Sequence, residues 1–126
     1  MEGMFDDRSP IYRQIADQVK DDVLRGVLGA GQQVMSTNQY AAHYRINPAT
    51  AAKAFQQLVD EGVIYKRRGV GMFVADGARD RLRTERRERF FTEVVGPMLA
   101  EAHALGIPVA DIVAHLQRHD PPGDSR

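Results

Sequence analysis

The chain has 126 residues, 43% hydrophobic and 27% charged, which suits one packed domain with an appended helical piece and excludes disorder of the whole chain. It contains no cysteine, so disulfides, thiolate metal sites and cysteine nucleophiles are excluded together, and a reducing compartment fits. Lys and Arg number 17 and Asp and Glu number 17, so any attraction to a polyanion must come from where the charges sit and not from their sum.

No apolar run approaches the length of a membrane span, and the start, MEGMFDDRSP, carries acids where a signal peptide needs a basic region and an apolar stretch. The expected location is cytoplasmic. Residues 1–8 read as a flexible lead-in. From Ser9 the pattern changes: Ser9 can cap a helix, Pro10 suits its first position, and Ile11, Ile15, Val19 and Val23 recur four apart with Leu24 alongside. This first helix should end near Arg25, with Gly26 beyond it, and serve as scaffold. Gly26, Gly29 and Gly31 punctuate a loop, after which Gln33 and Val34 can add a short third strand to a sheet.

Ser36 followed by Gln39 satisfies the capping-box pattern and starts a second helix over Thr37 to Tyr44. Arg45 and Ile46 make a corner. Asn47 and Pro48 restart a helix with a strong cap and a proline at the first position. Along this third helix Ala51, Phe55, Leu58 and Val59 share the inner face, Gly62 terminates it, and the outer face carries Ala49, Thr50, Lys53, Gln56 and Gln57, free of carboxylates. From Gln33 to Val74 the bases are Arg45, Lys53, Lys66, Arg67 and Arg68, against two acids, Asp60 and Glu61. Val63 to Lys66 and Met72 to Val74, β-branched and aromatic on either side of the Arg67–Gly71 turn, predict a hairpin whose tip is a wing.

Composition shifts at Ala75-Asp76-Gly77, the expected domain boundary. Beyond it an arginine- and glutamate-rich stretch carries apolar residues at helical spacing as far as Leu105, with Gly96-Pro97 inside it, where a kink or a break into two segments is expected. Gly106 ends this helix, Pro108 starts another with Val109, Ile112, Val113 and Leu116 on one face, and the tail from Pro121 reads as disordered. Two helices cannot bury all these apolar side chains against each other. A second copy packed about a two-fold axis through Leu82, Phe90, Phe91, Val94, Val95, Met98, Leu99, Ile112 and Leu116 is the expected remedy. The fold class is therefore mainly α with a small β-hairpin (α+β): a winged helix-turn-helix over 1–76, a helical dimerisation and effector region over 77–120, and a disordered tail over 121–126.

The expected DNA-binding residues follow from this outline. Asn47, Ala49, Thr50 and Lys53 lie on the exposed start of the third helix, where free N–H groups and short side chains meet phosphate and base edges. Ser36, Asn38 and Gln39 start the helix that would cross the backbone. Arg45 sits in the corner, and Arg67, Arg68 and Gly69 form a basic tip fit for a narrow minor groove. Each has a plainer account: Ser36, Gln39 and Asn47 as caps, Lys53 as a solvated lysine, the wing arginines as charges that deter edge aggregation. Asp111, His115 and His119 align four apart, a spacing able to hold a divalent metal, but histidines at a helix C-terminus are favoured by its dipole alone. There is no nucleotide loop between strand and helix, no nucleophile with a base and no close acid pair. Catalytic, cofactor and metal sites are accordingly expected to be none.

PIYRQIADQV from Pro10, the G-x-L-x-x-G loop at Gly26, Leu28 and Gly31, AFQQLVDEGVI from Ala54 and RRGVGMFV from Arg67 together resemble the GntR family of bacterial transcriptional regulators. NPATAAKAF from Asn47, with the short two-helix extension, is similar to the YtrA-like subgroup. The resemblance implies a homodimer on a near-palindromic double-stranded operator, the third helix in the major groove and the wing in the minor groove. It also implies repression, of a transporter-type operon in this subgroup, with release by an unknown small-molecule effector. The chain departs from the family's pattern at Val34-Met35-Ser36, at Asn38 and at Met72. The alternative reading is a winged-helix protein-interaction module without specific DNA binding.

Overall fold

The computed structural model describes Phe5 and residues 9–120. In chain order the elements are α1 (Ile11–Leu24), α2 (Thr37–Tyr44), α3 (Pro48–Asp60), β1 (Ile64–Arg67), β2 (Gly71–Val74), α4 (Ala78–Phe90), a π-helical turn (Phe91–Val95), α5 (Gly96–Ala104) and α6 (Val109–His119). This is the mainly helical architecture with one hairpin that the periodicity predicts. The chain divides into two compact units between Thr84 and Glu85.

In the first unit the four-residue spacing of α1 becomes a buried stripe of Ile15, Ala16, Val19 and Val23. Ala51, Ala54, Phe55 and Leu58 of α3 join the same core, with Tyr40 and Ala41 of α2 and Ile64 and Val74 of the hairpin. Phe55 is 2% exposed and meets Tyr40 edge-on, ring centroids 5.4 Å apart; truncating such a residue costs about 3–5 kcal/mol. An ion pair between Lys20 and Glu61 fastens α1 to the end of α3. Two details of the start differ from expectation. Pro10, not Ser9, is the N-cap, extended at φ −55° and ψ 142° with no side-chain cap, because the Pro10 carbonyl already accepts from Arg13 and Gln14 and leaves Ser9 one residue too early to reach the first-turn amides. Phe5, placed in the flexible lead-in, packs against this core with its ring edge-on to Tyr44. The rest of the expected lead-in and the tail 121–126 lie outside the described residues.

The hairpin pairs antiparallel with Ile64 opposite Val74 and Arg67 opposite Gly71. The third strand expected at Gln33 and Val34 shrinks to a single bridge, Gln33 to Phe73. Backbone bonds from Gly31 to Val74, Val74 to Gln32 and Val34 to Met72, each 2.9 Å, flank it. The segment is pinched between a glycine loop and the cap of α2, too short for a strand. After the hairpin the core continues into α4, where Ala78 is 1% and Leu82 4% exposed. Arg79 donates to the Leu24 carbonyl at 3.0 Å, and Arg81 donates to the carbonyls of Gly62 and Asp76. Leu82, expected on a dimerisation face, is thus a core residue of the first unit.

In the second unit the helix neither stops nor restarts at Gly96-Pro97. Pro97 has no N–H and its ring crowds the carbonyl one turn back. The chain accommodates it by widening the preceding turn: the Gly96 amide donates to Phe91, five residues earlier, while Val95 and Gly96 stay in the right-handed helical region. Gly106, at φ +72°, ends α5, and Pro108, extended at ψ 148°, precedes α6. Here Ala102 alone is fully buried among the described residues, whereas Phe90, Phe91, Val94, Leu105, Val109 and Leu116 are each more than half exposed. No helix among the described residues is long and apolar enough to cross a membrane.

Candidate nucleic-acid interface

The site is built on α2, the corner and α3. Ser36 accepts from the Gln39 amide at 3.1 Å while the Gln39 side chain accepts from the Ser36 amide at 2.9 Å, so the capping box forms as its sequence predicts. The box occupies acceptor oxygens of both side chains, the Ser36 hydroxyl oxygen and the Gln39 amide oxygen, not their donor groups. Asn38, between them in sequence, is exposed. Inside the unit Tyr40 holds α2 in place: it is 6% exposed, tilted on Tyr44 at 4.5 Å, with a hydroxyl that has no hydrogen-bond partner among the described residues. Burial pushes its ionisation well above the usual tyrosine range.

Arg45 makes the corner in the left-handed region, φ 57° and ψ 50°, the one positive-φ residue other than glycine among the described residues. Its amide and that of Ile46 both reach the Ala41 carbonyl, ending α2 and turning the chain toward α3. Arg45 is exposed.

At the start of α3 the Asn47 side chain accepts from the Ala49 amide at 2.7 Å, and Pro48 has no amide to offer. The Ala51 amide is taken by the Asn47 carbonyl, which leaves Thr50 as the first-turn donor that neither cap nor helix uses. The free N–H groups expected here are therefore narrower than expected. Ala49 and Lys53 are exposed and Thr50 half-buried. Toward the other end Gln56 donates to Asp60 and Gln57 to Glu61, each at 2.9 Å. The acids sit at the far end of a helix about 20 Å long, bonded to its own glutamines, and the N-terminal part of the outer face carries no negative charge.

Lys53 is not simply solvated. Its Nζ lies 4.1 Å from the ring centroid of Tyr12 on α1, and the Arg13 guanidinium carbon lies 5.9 Å from the same ring. Neither Tyr12 nor Arg13 is visible as a site residue in sequence, because the contact joins positions far apart in the chain and α1 reads as scaffold.

In the wing, Val70 donates back to the Arg67 carbonyl at 2.9 Å, with Gly69 at φ +75° in the third turn position. Arg67 lies over the Phe73 ring at 5.2 Å, Arg68 and Gly69 are exposed, and Val70 at the tip is 54% exposed. Gln33, which the sequence marks only as strand, also reaches the wing: its side chain donates to the Val70 carbonyl at 3.1 Å. On α6, the His115 and His119 rings are tilted against each other with centroids 4.3 Å apart, but among the described residues no three His, Asp or Glu side chains, Asp111 included, come together to share a metal.

The model of the gntR family of bacterial regulatory proteins matches residues 11–74, from the first residue of α1 to the last of β2. The chain is 33% identical over 99 residues to the HTH-type transcriptional repressor YtrA of Bacillus subtilis (strain 168), covering 79% of this chain and 75% of that protein. It superposes on a transcriptional regulator from Oenococcus oeni with a TM-score of 0.78 and 27% identity, over 94% of this chain and 98% of that one. It also matches AraR(DBD) in complex with operator ORR3, with a TM-score of 0.51 and 25% identity, over 60% of this chain and 93% of that one.

Proposed function

The chain belongs to the GntR family of bacterial regulatory proteins, DNA-binding regulators and not enzymes, and from that premise we propose that it is a repressor that binds a near-palindromic operator as a homodimer. In this reading α3 enters the major groove, α2 crosses the backbone and the Arg67-Arg68-Gly69 tip reaches the minor groove. Residues 1–76 supply the DNA contacts, and 77–120 supply dimerisation and the response to an effector.

The observation that carries the reading is the start of α3. An Asn47-capped helix end presents Ala49, Thr50 and Lys53 with no acid beside them, the arrangement that lets a helix approach phosphates and reach base edges without repulsion. The exposed Phe90, Phe91, Val94 and Leu116 support a second copy as partner. The relative named YtrA supports repression, and control of a transporter-type operon belongs to the same reading.

The test is fluorescence anisotropy with the duplex upstream of the protein's own operon against a random duplex, across a salt series. Specific binding that falls steeply with salt is expected, with Arg68→Ala weakening both duplexes and Lys53→Ala also eroding the preference. Equal weak binding to both duplexes by the wild type would overturn the reading in favour of a protein-interaction module.

A further inference from the structure

We propose that Tyr12 is a positioning residue for DNA recognition, its ring holding the Lys53 ammonium at the outer face of α3. The proposal rests on the reading of α3 as the groove helix and adds α1, otherwise scaffold, to the recognition surface.

Three observations carry it. The Lys53 Nζ is 4.1 Å from the Tyr12 centroid, well inside the range in which a ring's negative face attracts a cation. Tyr12 is half-buried and packed against the core, so its ring is a fixed platform. Lys53 is exposed, and a ring occupies only one side of an ammonium, leaving the other for a phosphate or a guanine edge.

The physical advantage is entropic. A lysine has a long flexible stem and a compact charge, and it gives up most of its rotamer freedom on meeting a ligand. A lysine already resting on a ring has given up part of that freedom before DNA arrives. The Arg13 guanidinium carbon lies 5.9 Å from the same ring, at the outer limit of such an attraction, so the ring's contact with Lys53 is the closer of the two.

The experiment uses the full chain and a duplex selected by the wild-type protein from random-sequence DNA. Tyr12→Phe keeps the ring and should hold affinity within about twofold, whereas Tyr12→Leu keeps apolar bulk without the ring and should weaken binding about two- to fivefold. In a Lys53→Ala background the same Tyr12→Leu change should cost nothing further. The Lys53 ε-methylene proton resonances should be shifted upfield by the ring in wild type and Tyr12→Phe and return to ordinary positions in Tyr12→Leu, with thermal midpoints confirming folded variants. An equal loss in both backgrounds, or unchanged or tighter binding by Tyr12→Leu alone, overturns the positioning role while leaving α3 in the groove. Unaltered affinity and preference in Lys53→Ala overturns the positioning role, and the same result in Thr50→Ala as well overturns the groove reading with it.

Discussion

Gln33 lies against Gly71 so closely that a β-carbon added at Gly71 would overlap the Gln33 side-chain amide. That amide donates to the neighbouring Val70 carbonyl at 3.1 Å, so the wing's shape is set from outside the hairpin as well as by its own turn.

Gly71→Ala is therefore expected to destabilise the protein more than Gly69→Ala. At Gly71 the backbone is at φ +145° and the space is taken; at Gly69 it is at φ +75° and the space is open. The first should cost about 1–3 kcal/mol and the second about 1–2 kcal/mol, measured by urea unfolding. Gly71→Ala combined with Gln33→Ala should recover only the steric part. Because the overlapping atom ends a flexible side chain and the two glycines also differ in φ, the double variant decides: no coupling between Gly71→Ala and Gln33→Ala would mean that Gln33 does not constrain the wing.

Arg45→Gly separates the corner's conformation from its charge. A left-handed arginine costs roughly 1–2 kcal/mol and glycine removes that strain while adding chain entropy to the unfolded state, so stability should hold or rise by up to about 1 kcal/mol. DNA affinity should fall and the salt dependence should flatten by about one phosphate contact. A variant that binds as well as wild type would confine Arg45 to the turn.

Tyr40→Phe removes a buried hydroxyl without a partner among the described residues and should leave stability unchanged or raise it by up to about 1 kcal/mol at neutral pH. The folded state holds the Tyr40 proton to higher pH than the unfolded state does, so the contribution of this group is fully present below the ordinary tyrosine value of about 10. It is lost as pH rises above that value. Melts from pH 8 to 11 should show the wild type losing ground to Tyr40→Phe only above about pH 10; parallel curves would show that the hydroxyl reaches water.

Leu82→Ala and Phe91→Glu should fail in different ways. Leu82 is 4% exposed and Phe91 55% exposed, so the first should cost about 2–5 kcal/mol of stability. The second should leave the first unit folded and halve the mass that light scattering gives for the proposed dimer. A Phe91→Glu protein of unchanged mass would remove that face from the dimer contact.

What could be read in advance divides by range along the chain. The Ser36–Gln39 box, the Asn47 cap, the Pro48 start and the positive-φ glycines at the wing and at the ends of α3 and α5 depend on residues within a turn of one another, and each is found where its pattern predicts. Leu82 has the same helical spacing as the exposed residues that follow it, and only its packing against the first unit separates them. Tyr12 and Lys53, like Gln33 and Gly71, meet across long stretches of chain. No local pattern in either partner announces the other.

The π turn at Phe91–Val95 also bears on the shape of the apolar strip around it. In a regular α-helix, residues four apart overshoot a full turn by about 40°, so a column of side chains at that spacing winds away round the cylinder. One wider turn takes back part of the overshoot. Phe90, Val94 and Met98, and beside them Phe91, Val95 and Leu99, thereby run as two files, straighter along the helix than an unbroken α-helix would carry them. Adding or deleting one residue in this stretch would twist the files out of line without removing a single apolar side chain.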